Sequence, residues 1–554
     1  MNNSGYRIVI SLLAIFVFVS TNTHAAGSKY WIFFRDKGSP SEHVLPQITE
    51  KSLERRSKAL QKSALTDDYD LNVYHPYIEA LMALDIVPIR TSNWLNGVSA
   101  RLSETQIELV NRLDFVTEIR PVARYIRKQT DGPLNKSIAR STATYDAAST
   151  YGFSYTQNQL MRVPEIHDMG INGSGVVIGL LDSGFNYKFH EAFSHLSVIA
   201  EYDFVNDDSV TANEVEDNDA ASQHSHGTKV LSAIAGYREQ ELIGPAYGAS
   251  YLLAKTEDVR SETVVEEDNW VAGIEWMERL GADIVSSSLG YNDWYTYEDM
   301  DGETAITTVA ADIAFSKGIV VVNSLGNEGN KSWRYMIAPA DARGVIGVGS
   351  VDQNGELSAF SSFGPTYDGR IKPDVVAMGT GVYVVSPSTT NQYTYSNGTS
   401  LACPLVAGVA GLILSAHPDY TASQVMSLLK NTSSQASSPD NSYGWGIVNA
   451  YNALFSEDPD LPDEFILYEN YPNPFNNGTT IQYRLMNGGE ISLKIYNILG
   501  QLVRTLRDGY QPAGTYRIRW DGTNSSNIRA SSGIYLYILQ HSDATEIRKM
   551  TFLK

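Results

Sequence analysis

The chain of 554 residues is long enough for three to four folded units at roughly 150 residues each. Hydrophobic residues make up 43% of the sequence and charged residues 19%, which excludes an intrinsically disordered chain. The formal net charge of −21 argues against nucleic acid or an anionic membrane as a partner, and a single cysteine, Cys403, excludes a disulfide scaffold.

The first residues predict an export signal over 1–25. Arg7 supplies a positive charge, the stretch 8–19 is apolar at all but one position, and Ala25 provides a small residue at a cleavage point. An apolar core of about twelve residues is too short to span a bilayer, and no later segment resembles a transmembrane helix. The alternative is a buried N-terminal helix of the same length.

Residues 28–130 predict a small mixed α+β unit. Strands are indicated at 30–34, 86–90, 98–102 and 115–122, and helices at 76–84 and after the capping box Ser103-x-x-Gln106. The order strand, helix, strand, strand, helix, strand is typical of a ferredoxin-like fold. This unit carries no catalytic set of residues of its own.

Between residues 145 and 455, buried strands alternate with helices. Continuous apolar runs at 176–181, 282–285 and 318–322 indicate strands that are covered on both faces. Helices are indicated between them at 263–280 and 304–316. The pattern predicts an α/β fold with a doubly wound parallel sheet, in which chemistry gathers at the carboxyl ends of the strands.

The end of the chain changes character again. Residues 456–464 are acidic and contain two prolines, which predicts a linker. Within 465–554, apolar and polar residues alternate at 481–485, 491–495 and 516–520, with turn pairs between these runs. We predict a small antiparallel β-sandwich here.

Four polar residues of the parallel-sheet unit lie at places suited to nucleophilic catalysis by serine. Such catalysis needs a nucleophile, a base, a group that orients the base and donors for the oxyanion. The candidates, each just after a predicted strand or near the start of a predicted helix, are Asp182, His226, Asn327 and Ser400. Taken singly, each is more simply a turn residue, a structural histidine or a helix cap. His190 and His224 compete as the base, but neither precedes a Gly-Thr pair.

Taken together, the motifs resemble those of the subtilisin-like serine proteases, the subtilase family, over about 145–450. The most specific match is Gly-Thr-Ser-x-Ala-x-Pro at 398–404. Asp-Ser-Gly at 182–184, His-Gly-Thr at 226–228 and Gly-Asn-Glu-Gly at 326–329 occur in the order that the family requires.

The resemblance implies a catalytic triad and an oxyanion site. Ser400 is then the nucleophile, His226 the general base and Asp182 the group that orients the imidazole. Asn327 and the backbone N–H of Ser400 hold the oxyanion.

The resemblance also implies a cleft for extended substrate. Its walls are Ser288-Leu289-Gly290 and Ser324-Leu325-Gly326, and pairing through the main chain tolerates many sequences. Two positions depart from the family pattern: Tyr291 replaces a common Gly, and Lys229 replaces the usual second His after His226. Tyr291 leaves the substrate preference open.

The implied mechanism needs no cofactor. Related enzymes often bind structural calcium, and the carboxylates within 203–219 suit this ion, but an acidic run is more simply a solvated loop. We therefore assign no metal ligand. Cys403, three residues after Ser400, is interpreted as a small buried hydrophobe, with a redox-sensitive thiol as the alternative.

The flanking units complete the prediction. Residues 28–130 resemble an inhibitor-type propeptide that is self-cleaved between 127 and 145. The motif Asn-Tyr-Pro-Asn-Pro-Phe-Asn at 470–476 resembles the type A sorting domain of the type IX secretion system. This resemblance implies export through the periplasm of a Gram-negative bacterium to the cell surface or medium. An ordinary accessory sandwich is the alternative.

The sequence thus predicts a secreted serine endopeptidase made as an autoprocessed zymogen. Its partners are protein or peptide substrates, its own propeptide as inhibitor, and the type IX secretion machinery. One alternative is a surface-binding protein built on an inactive subtilase scaffold. Another is a processing peptidase with one narrow target rather than a scavenging degrader.

Overall fold

The computed structural model describes most of the chain. The described residues are 28–38, 47–59, 65–122, 124–125, 147–259, 264–292, 295–456, 465–467, 470, 473–476, 478–485, 488–512, 514–526, 528–541 and 544–553. The predicted signal peptide, the predicted cleavage region and all but the first residue of the predicted linker lie outside these ranges.

A four-stranded antiparallel sheet forms the N-terminal unit, with strand order β2-β3-β1-β4. Its elements are β1 (Ser28–Phe34), α1 (Glu50–Ala59), α2 (His75–Met82), β2 (Pro88–Ser92), β3 (Gly97–Leu102), α3 (Glu104–Val110), β4 (Val116–Pro121) and the short β5 (Arg124–Tyr125). The predicted capping box is present, since the Gln106 N–H donates to the Ser103 hydroxyl at 3.3 Å and the Ser103 N–H to Gln106 Oε1 at 3.0 Å. The ferredoxin-like prediction is confirmed.

Helix α1 is an addition that the sequence pattern did not predict. Its buried side chains are Ser52, Arg55, Arg56 and Ala59, so its inward face is mainly polar and charged. A helix of this kind has no apolar stripe at a spacing of 3.6 residues, which is the signal on which sequence analysis depends.

Seven parallel strands form the sheet of the central unit, in the order β16-β15-β14-β13-β6-β10-β7. The strands of this unit are β6 (Val177–Asp182), β7 (Ser197–Asp203), β8 (Tyr237–Arg238), β9 (Leu242–Ile243), β10 (Ser250–Lys255), β11 (Glu257–Asp258), β12 (Val264–Glu266), β13 (Ile284–Ser287), β14 (Val320–Ser324), β15 (Val345–Val351), β16 (Val375–Met378), β17 (Val382–Val385) and β18 (Tyr393–Ser396).

The helices of the central unit are α4 (Ala147–Tyr151), α5 (Tyr155–Gln159), α6 (Val163–His167), α7 (Ser225–Ala235), α8 (Glu267–Leu280), α9 (Ile306–Ser316), α10 (Thr399–Ala416), α11 (Ala422–Asn431) and α12 (Ala450–Phe455). Short 3₁₀ helices lie at Asp68–Asp70, Gly152–Ser154, Glu191–Phe193 and Tyr297–Asp299. Helix α8 begins at Glu267 rather than at the predicted 263, because the β-branched Val264 and Val265 belong to β12.

Strand β6 shows why the sheet is wound on both faces. Ile178 and Leu180 belong to the buried cluster that includes residues of α7 and α10. Val177 and Leu181 belong to the cluster that includes residues of α8 and α9. Successive side chains of a strand point to opposite faces, so both faces of β6 are covered by helices and its sequence is a continuous apolar run. The prediction of a doubly wound parallel sheet is confirmed.

Helix α10 crosses one face of this sheet and is the most apolar helix of the described ranges. Among the described residues it is the one helix whose length and composition would allow it to cross a membrane, and 83% of its apolar window is buried inside the protein. Its apolar side chains from Leu401 to Ile413 pack in the same cluster as β14, β15 and β16. Burial against the sheet accounts for its composition.

Antiparallel strands form the C-terminal unit, as predicted. They are β19 (Phe465–Leu467), β20 (Thr479–Leu485), β21 (Gly489–Asn497), β22 (Leu502–Gln511), β23 (Gly514–Trp520), β24 (Gly533–His541) and β25 (Ala544–Phe552). They form two sheets, β19-β20-β23 and β22-β21-β24-β25. Tyr483, Trp520, Tyr537 and Phe552 are fully buried in one core, so the two sheets pack as a sandwich.

Candidate active site

Asp182 and His226 form a hydrogen-bonded pair at the carboxyl edge of the sheet. Asp182 is the last residue of β6 and is fully buried, and His226 lies in the first turn of α7. His226 Nδ1 donates to Asp182 Oδ1 at 2.7 Å, and the Ser183 N–H donates to the same oxygen at 2.7 Å. Because Nδ1 carries the proton, Nε2 is the ring nitrogen that can accept one.

Gly227 permits this pair to form. A Cβ atom at Gly227 would lie 2.3 Å from the carbonyl oxygen of Gly184 and 3.0 Å from Asp182 Cβ. Only a residue without a side chain lets the start of α7 approach the end of β6 this closely.

Ser400 lies in the first turn of α10 and is nearly buried, with 6% of its surface exposed. The backbone N–H groups of a first helical turn have no acceptor within the helix, and they lie at the positive end of the helix dipole. The preceding Gly398 has φ of +147°, a conformation that side chains rarely adopt. This turn places the hydroxyl and the N–H of Ser400 at the N-terminal end of α10.

Pro404 is the sixth residue of α10 and lies beyond its first turn. A proline there cannot donate to the carbonyl oxygen of Ser400, four residues earlier. The Ser288 hydroxyl donates to that oxygen instead, at 2.7 Å. The missing helical hydrogen bond therefore becomes a link between the helix and the segment 288–290.

Asn327 follows β14 and is held by the residue next to Ser400. Its carboxamide oxygen accepts from both the N–H and the hydroxyl of Thr399, at 3.0 Å each. The amide Nδ2 therefore faces the opposite way, available as a donor. A Cβ atom at Gly398 would lie 2.7 Å from Ser400 Oγ and 3.7 Å from Asn327 Nδ2, so both atoms lie beside Gly398. Thr399 belongs to the Gly-Thr-Ser motif, but its contact with Asn327 was not predicted from the sequence.

The register of the sheet relates the Asp182–His226 pair to the segment that contacts Ser400. Leu181 of β6 lies opposite Ser287 of β13, so Asp182 is level with Ser288, whose hydroxyl contacts the Ser400 carbonyl. All four predicted catalytic residues thus lie at one edge of the sheet, as the carboxyl-end rule predicts.

The two predicted cleft segments follow neighbouring strands. Ser288-Leu289-Gly290 follows β13, and Ser324-Leu325-Gly326 begins with the last residue of β14. Asn323 Nδ2 donates to the Leu289 carbonyl at 3.0 Å and joins them. Tyr291 is fully buried, and its N–H and carbonyl pair with those of Ala338 at 2.8 and 3.1 Å. Its ring belongs to the buried cluster of α8 and α9 rather than to an open cleft.

A short three-stranded sheet, β11-β12-β5, lies beside the Asp182 loop. In it β5, the last described segment before the predicted cleavage region, pairs antiparallel with β12 through Tyr125 opposite Val265. Gln223 Nε2 donates to the carbonyl oxygens of Ser183 and Glu257, which ties β11 to the residue after Asp182.

The acidic run within 203–219 gathers in part. Single carboxylate oxygens of Asp203, Asp208 and Asp217 lie within 4.8 Å of one another. Burial, together with Asp208 and Asp219, raises the pKa of Asp217, as expected where negative charges crowd together. Lys255 Nζ contacts Asp203 at 2.7 Å and Asp219 at 2.8 Å and supplies one positive charge. Three oxygen donors in one place suit a hard cation such as Ca²⁺.

Cys403 is buried beneath the site. Its Sγ lies 3.4 Å from the carbonyl oxygens of Ser287 and Val322, and burial raises the pKa of the thiol to about 12. The thiol is therefore protonated throughout the physiological range, which agrees with a small buried hydrophobe and disfavours a redox-sensitive thiol.

Three parts of the chain match known families. The subtilase family matches residues 173–446, the Bacteroidota propeptide domain of peptidase S8 matches residues 29–137, and the FlgD Ig-like domain matches residues 478–544.

Known subtilisins and a solved structure are similar to this chain. Subtilisin DY of Bacillus licheniformis is 33% identical over 294 residues, which is 52% of this chain and 94% of that protein. Subtilisin E of Bacillus subtilis (strain 168) is 32% identical over 312 residues, which is 56% of this chain and 72% of that protein. The crystal structure of fervidolysin from Fervidobacterium pennivorans, a keratinolytic enzyme related to subtilisin, matches with a TM-score of 0.59 and 20% identity. It covers 92% of this chain and 70% of that one, and at this identity the match shows the fold alone.

We predict that the native protein resists thiol reagents. Because Cys403 is buried and its thiol is protonated, iodoacetamide at pH 8 should leave the native protein unmodified over hours. Mass spectrometry would follow the labelling, with the same protein in denaturant as the control. The chain has one cysteine, so the denatured sample should gain a single label. Rapid labelling of the native form would contradict the prediction.

Proposed function

The chain belongs to the subtilase family of serine peptidases, and we propose that it is an active endopeptidase that uses Ser400, His226 and Asp182 as its triad. The observation that carries the proposal is the 2.7 Å hydrogen bond from His226 to Asp182, level in the sheet with the segment that holds Ser400. The retention of all four groups favours catalysis over the alternative of an inactive scaffold that only binds.

In the proposed reaction, Ser400 Oγ attacks the carbonyl carbon of the scissile peptide bond while His226 Nε2 takes the hydroxyl proton. Asp182 stabilises the imidazolium that forms and keeps the ring in its orientation. The negative charge on the carbonyl oxygen is stabilised by Asn327 Nδ2 and the Ser400 N–H. The C–N bond then breaks, His226 returns the proton to the leaving amine, and water hydrolyses the acyl-enzyme by the same steps in reverse.

Apart from the substrate and water, the proposed steps use only groups of the chain and need no cofactor. Structural calcium, when bound, would be held by Asp203, Asp208 and Asp217 and would stabilise the loop that contains them.

We further propose that residues 28–130 act as an inhibitory propeptide. The backbone of β5 adds to the edge of β12 beside the Asp182 loop, which is how an extended peptide would bind there. Parallel sheets depend on non-local contacts and fold slowly, so a covalently attached template has a physical purpose.

Buried ion pairs support this role by attaching the propeptide to α8. Arg55 and Arg56 both contact Glu278, and Arg56 also contacts Asp70 at 2.8 Å within the propeptide. Burial alone would raise the pKa of Glu278, but the two guanidinium groups hold this pKa below its usual value. Lys317 Nζ approaches Asp70 at 3.2 Å from the other side of the interface. Such fully buried pairs are costly to break one partner at a time.

Glu275 of α8 caps the turn between β2 and β3. Its carboxylate accepts from the Ser92 hydroxyl, and from the N–H groups of Asn93 at 3.1 Å and Trp94 at 3.4 Å. Burial raises the pKa of Glu275 to about 7, and these donors and Arg279 offset the burial only in part.

The C-terminal unit is proposed to direct export. Asn470 and Phe475 of the sorting motif are part of the sandwich: the Asn470 N–H donates to the Tyr537 hydroxyl at 3.0 Å, and the Phe475 ring stacks on Phe552 at 5.0 Å. The match to an Ig-like domain is equally compatible with an ordinary accessory sandwich, so an experiment must separate the two.

The proposed nucleophile and the proposed oxyanion donor are each tested by one variant, and a third variant is the control. Ser400→Ala should abolish hydrolysis of casein and accumulate as uncut precursor, because the nucleophile is lost. Asn327→Ala should fold and cleave, with kcat lowered roughly a hundredfold to a thousandfold, because one oxyanion donor is lost. Ser415→Ala, the same change near the far end of α10, should match the wild type. N-terminal sequencing of each product would locate processing, and an active Ser400→Ala protein would refute the assignment.

The pH dependence of propeptide release tests the interface. When the propeptide leaves, the Glu275 carboxyl group becomes hydrated and its pKa returns to near the ordinary value of 4.5. Between pH 4.5 and about 7, this group therefore carries a proton in the complex that it loses in the free catalytic chain. Binding strength from this group is fully present below pH 4.5 and is lost as pH rises through about 7.

We therefore expect the cleaved propeptide to bind at least about tenfold more weakly at pH 8 than at pH 5. Glu275→Gln should remove most of this difference, whereas Glu298→Gln, at an exposed position, should retain it. Size-exclusion chromatography of the processed complex at each pH would measure the bound fraction. An unchanged pH dependence in Glu275→Gln would count against the role of this carboxylate.

Export is tested by deleting residues 465–554 in a host that has a type IX system. The truncated chain should retain peptidase activity in cell extracts, because the triad lies in a separate core, and should be absent from the medium. Release of the truncated protein at the rate of the full chain would identify the unit as an accessory sandwich instead.

A further inference from the structure

The two proposed cleft segments each end in a glycine, and one side chain lies against both. A Cβ atom at Gly290 would lie 2.5 Å from both Cγ1 and Cδ1 of Ile337. A Cβ atom at Gly326 would lie 3.1 and 3.3 Å from the same two atoms. The end of the Ile337 side chain therefore lies beside both glycines, and the Ser362 hydroxyl also lies beside Gly326, 2.9 Å from the position of such a Cβ atom.

The backbone holds Ile337 in this position from both sides. Its N–H donates to the Leu325 carbonyl at 3.2 Å, next to Gly326. The following residue, Ala338, makes the two hydrogen bonds to Tyr291, next to Gly290. The segment that contains Ile337 is therefore attached to both walls, and the residue has 4% of its surface exposed. These hydrogen bonds fix the main chain from which the Ile337 side chain projects.

Glycine in a cleft wall leaves room for a side chain of the substrate. Here the room between Gly290 and Gly326 is taken by the enzyme's own four-carbon side chain. A substrate side chain that entered between the two proposed cleft segments would meet Ile337, so a small group would fit and an aromatic ring would overlap with the Ile337 side chain. Overpacking of a filled apolar site is unfavourable.

We propose that Ile337 closes the primary specificity pocket, and that the enzyme therefore cleaves after small residues such as Ala, Ser or Gly and rejects Phe and Tyr. The residue on the amino side of the scissile bond is P1. This inference rests on the proposed peptidase function and specifies the substrates of that site. It makes Ile337 a specificity determinant, a role that Tyr291, buried in the core, does not have.

The test is a set of peptide anilides that differ only at P1, with Ala, Leu or Phe, hydrolysed by the mature enzyme. One methylene group in an apolar pocket changes kcat/KM by about 10- to 200-fold. We expect the wild type to prefer Ala over Phe by at least about tenfold. Ile337→Ala should shift the Ala-to-Phe ratio toward Phe by at least about tenfold, and Ile337→Val should shift it less.

Ile313→Ala is the matched control. Ile313 has the same 4% exposure but lies on α9. It should lower the melting temperature and leave the Ala-to-Phe ratio unchanged. If Ile337→Ala does not fold, the Ala-to-Phe ratios of the wild type and of Ile337→Val test the inference.

Two results would overturn the inference: a wild-type preference for Phe, or folded Ile337 variants with an unchanged ratio. Failure of the proposed function would look different. The wild type would then cleave none of the peptides and would not react with a fluorophosphonate probe.

Discussion

The arrangement at the site depends on a carboxylate that is completely buried. Asp182 has no exposed surface, and a charge in such a place is tolerated only when donors surround it. His226 and Ser183 supply these donors, and the helix that carries His226 can reach Asp182 only because Gly227 has no side chain. The same contact that stabilises the charge also fixes the imidazole, so folding and preparation for chemistry are one event.

A second constraint concerns the start of α10. Gly398 adopts a positive φ that favours glycine, and this turn sets the direction of the first N–H groups of α10. Thr399 holds the carboxamide group of Asn327 beside them. Pro404 removes one helical hydrogen bond, and Ser288 replaces it across the sheet edge. Local irregularities of the helix thereby become contacts among the proposed nucleophile, the proposed oxyanion donor and a proposed cleft wall.

Helix α8 has two roles in this fold. One face packs in the core of the parallel sheet, and the other carries Glu275 and Glu278 into the N-terminal unit. Carboxylates on the catalytic side meet arginines and backbone N–H groups on the propeptide side. Polar interfaces of this kind are specific, and their strength depends on pH, which suits the proposed binding and later release of the propeptide.

The sequence by itself determined the strands of the parallel sheet, the ferredoxin-like order and the four candidate residues, because apolar periodicity and short motifs are read locally along the chain. It did not predict α1, whose buried face is mainly polar and charged. Only the tertiary structure joined Ser288 to Ser400, Thr399 to Asn327, and Ile337 to two distant glycines. These contacts connect residues far apart in sequence, and no local pattern encodes which side chain fills a space that the folded backbone creates.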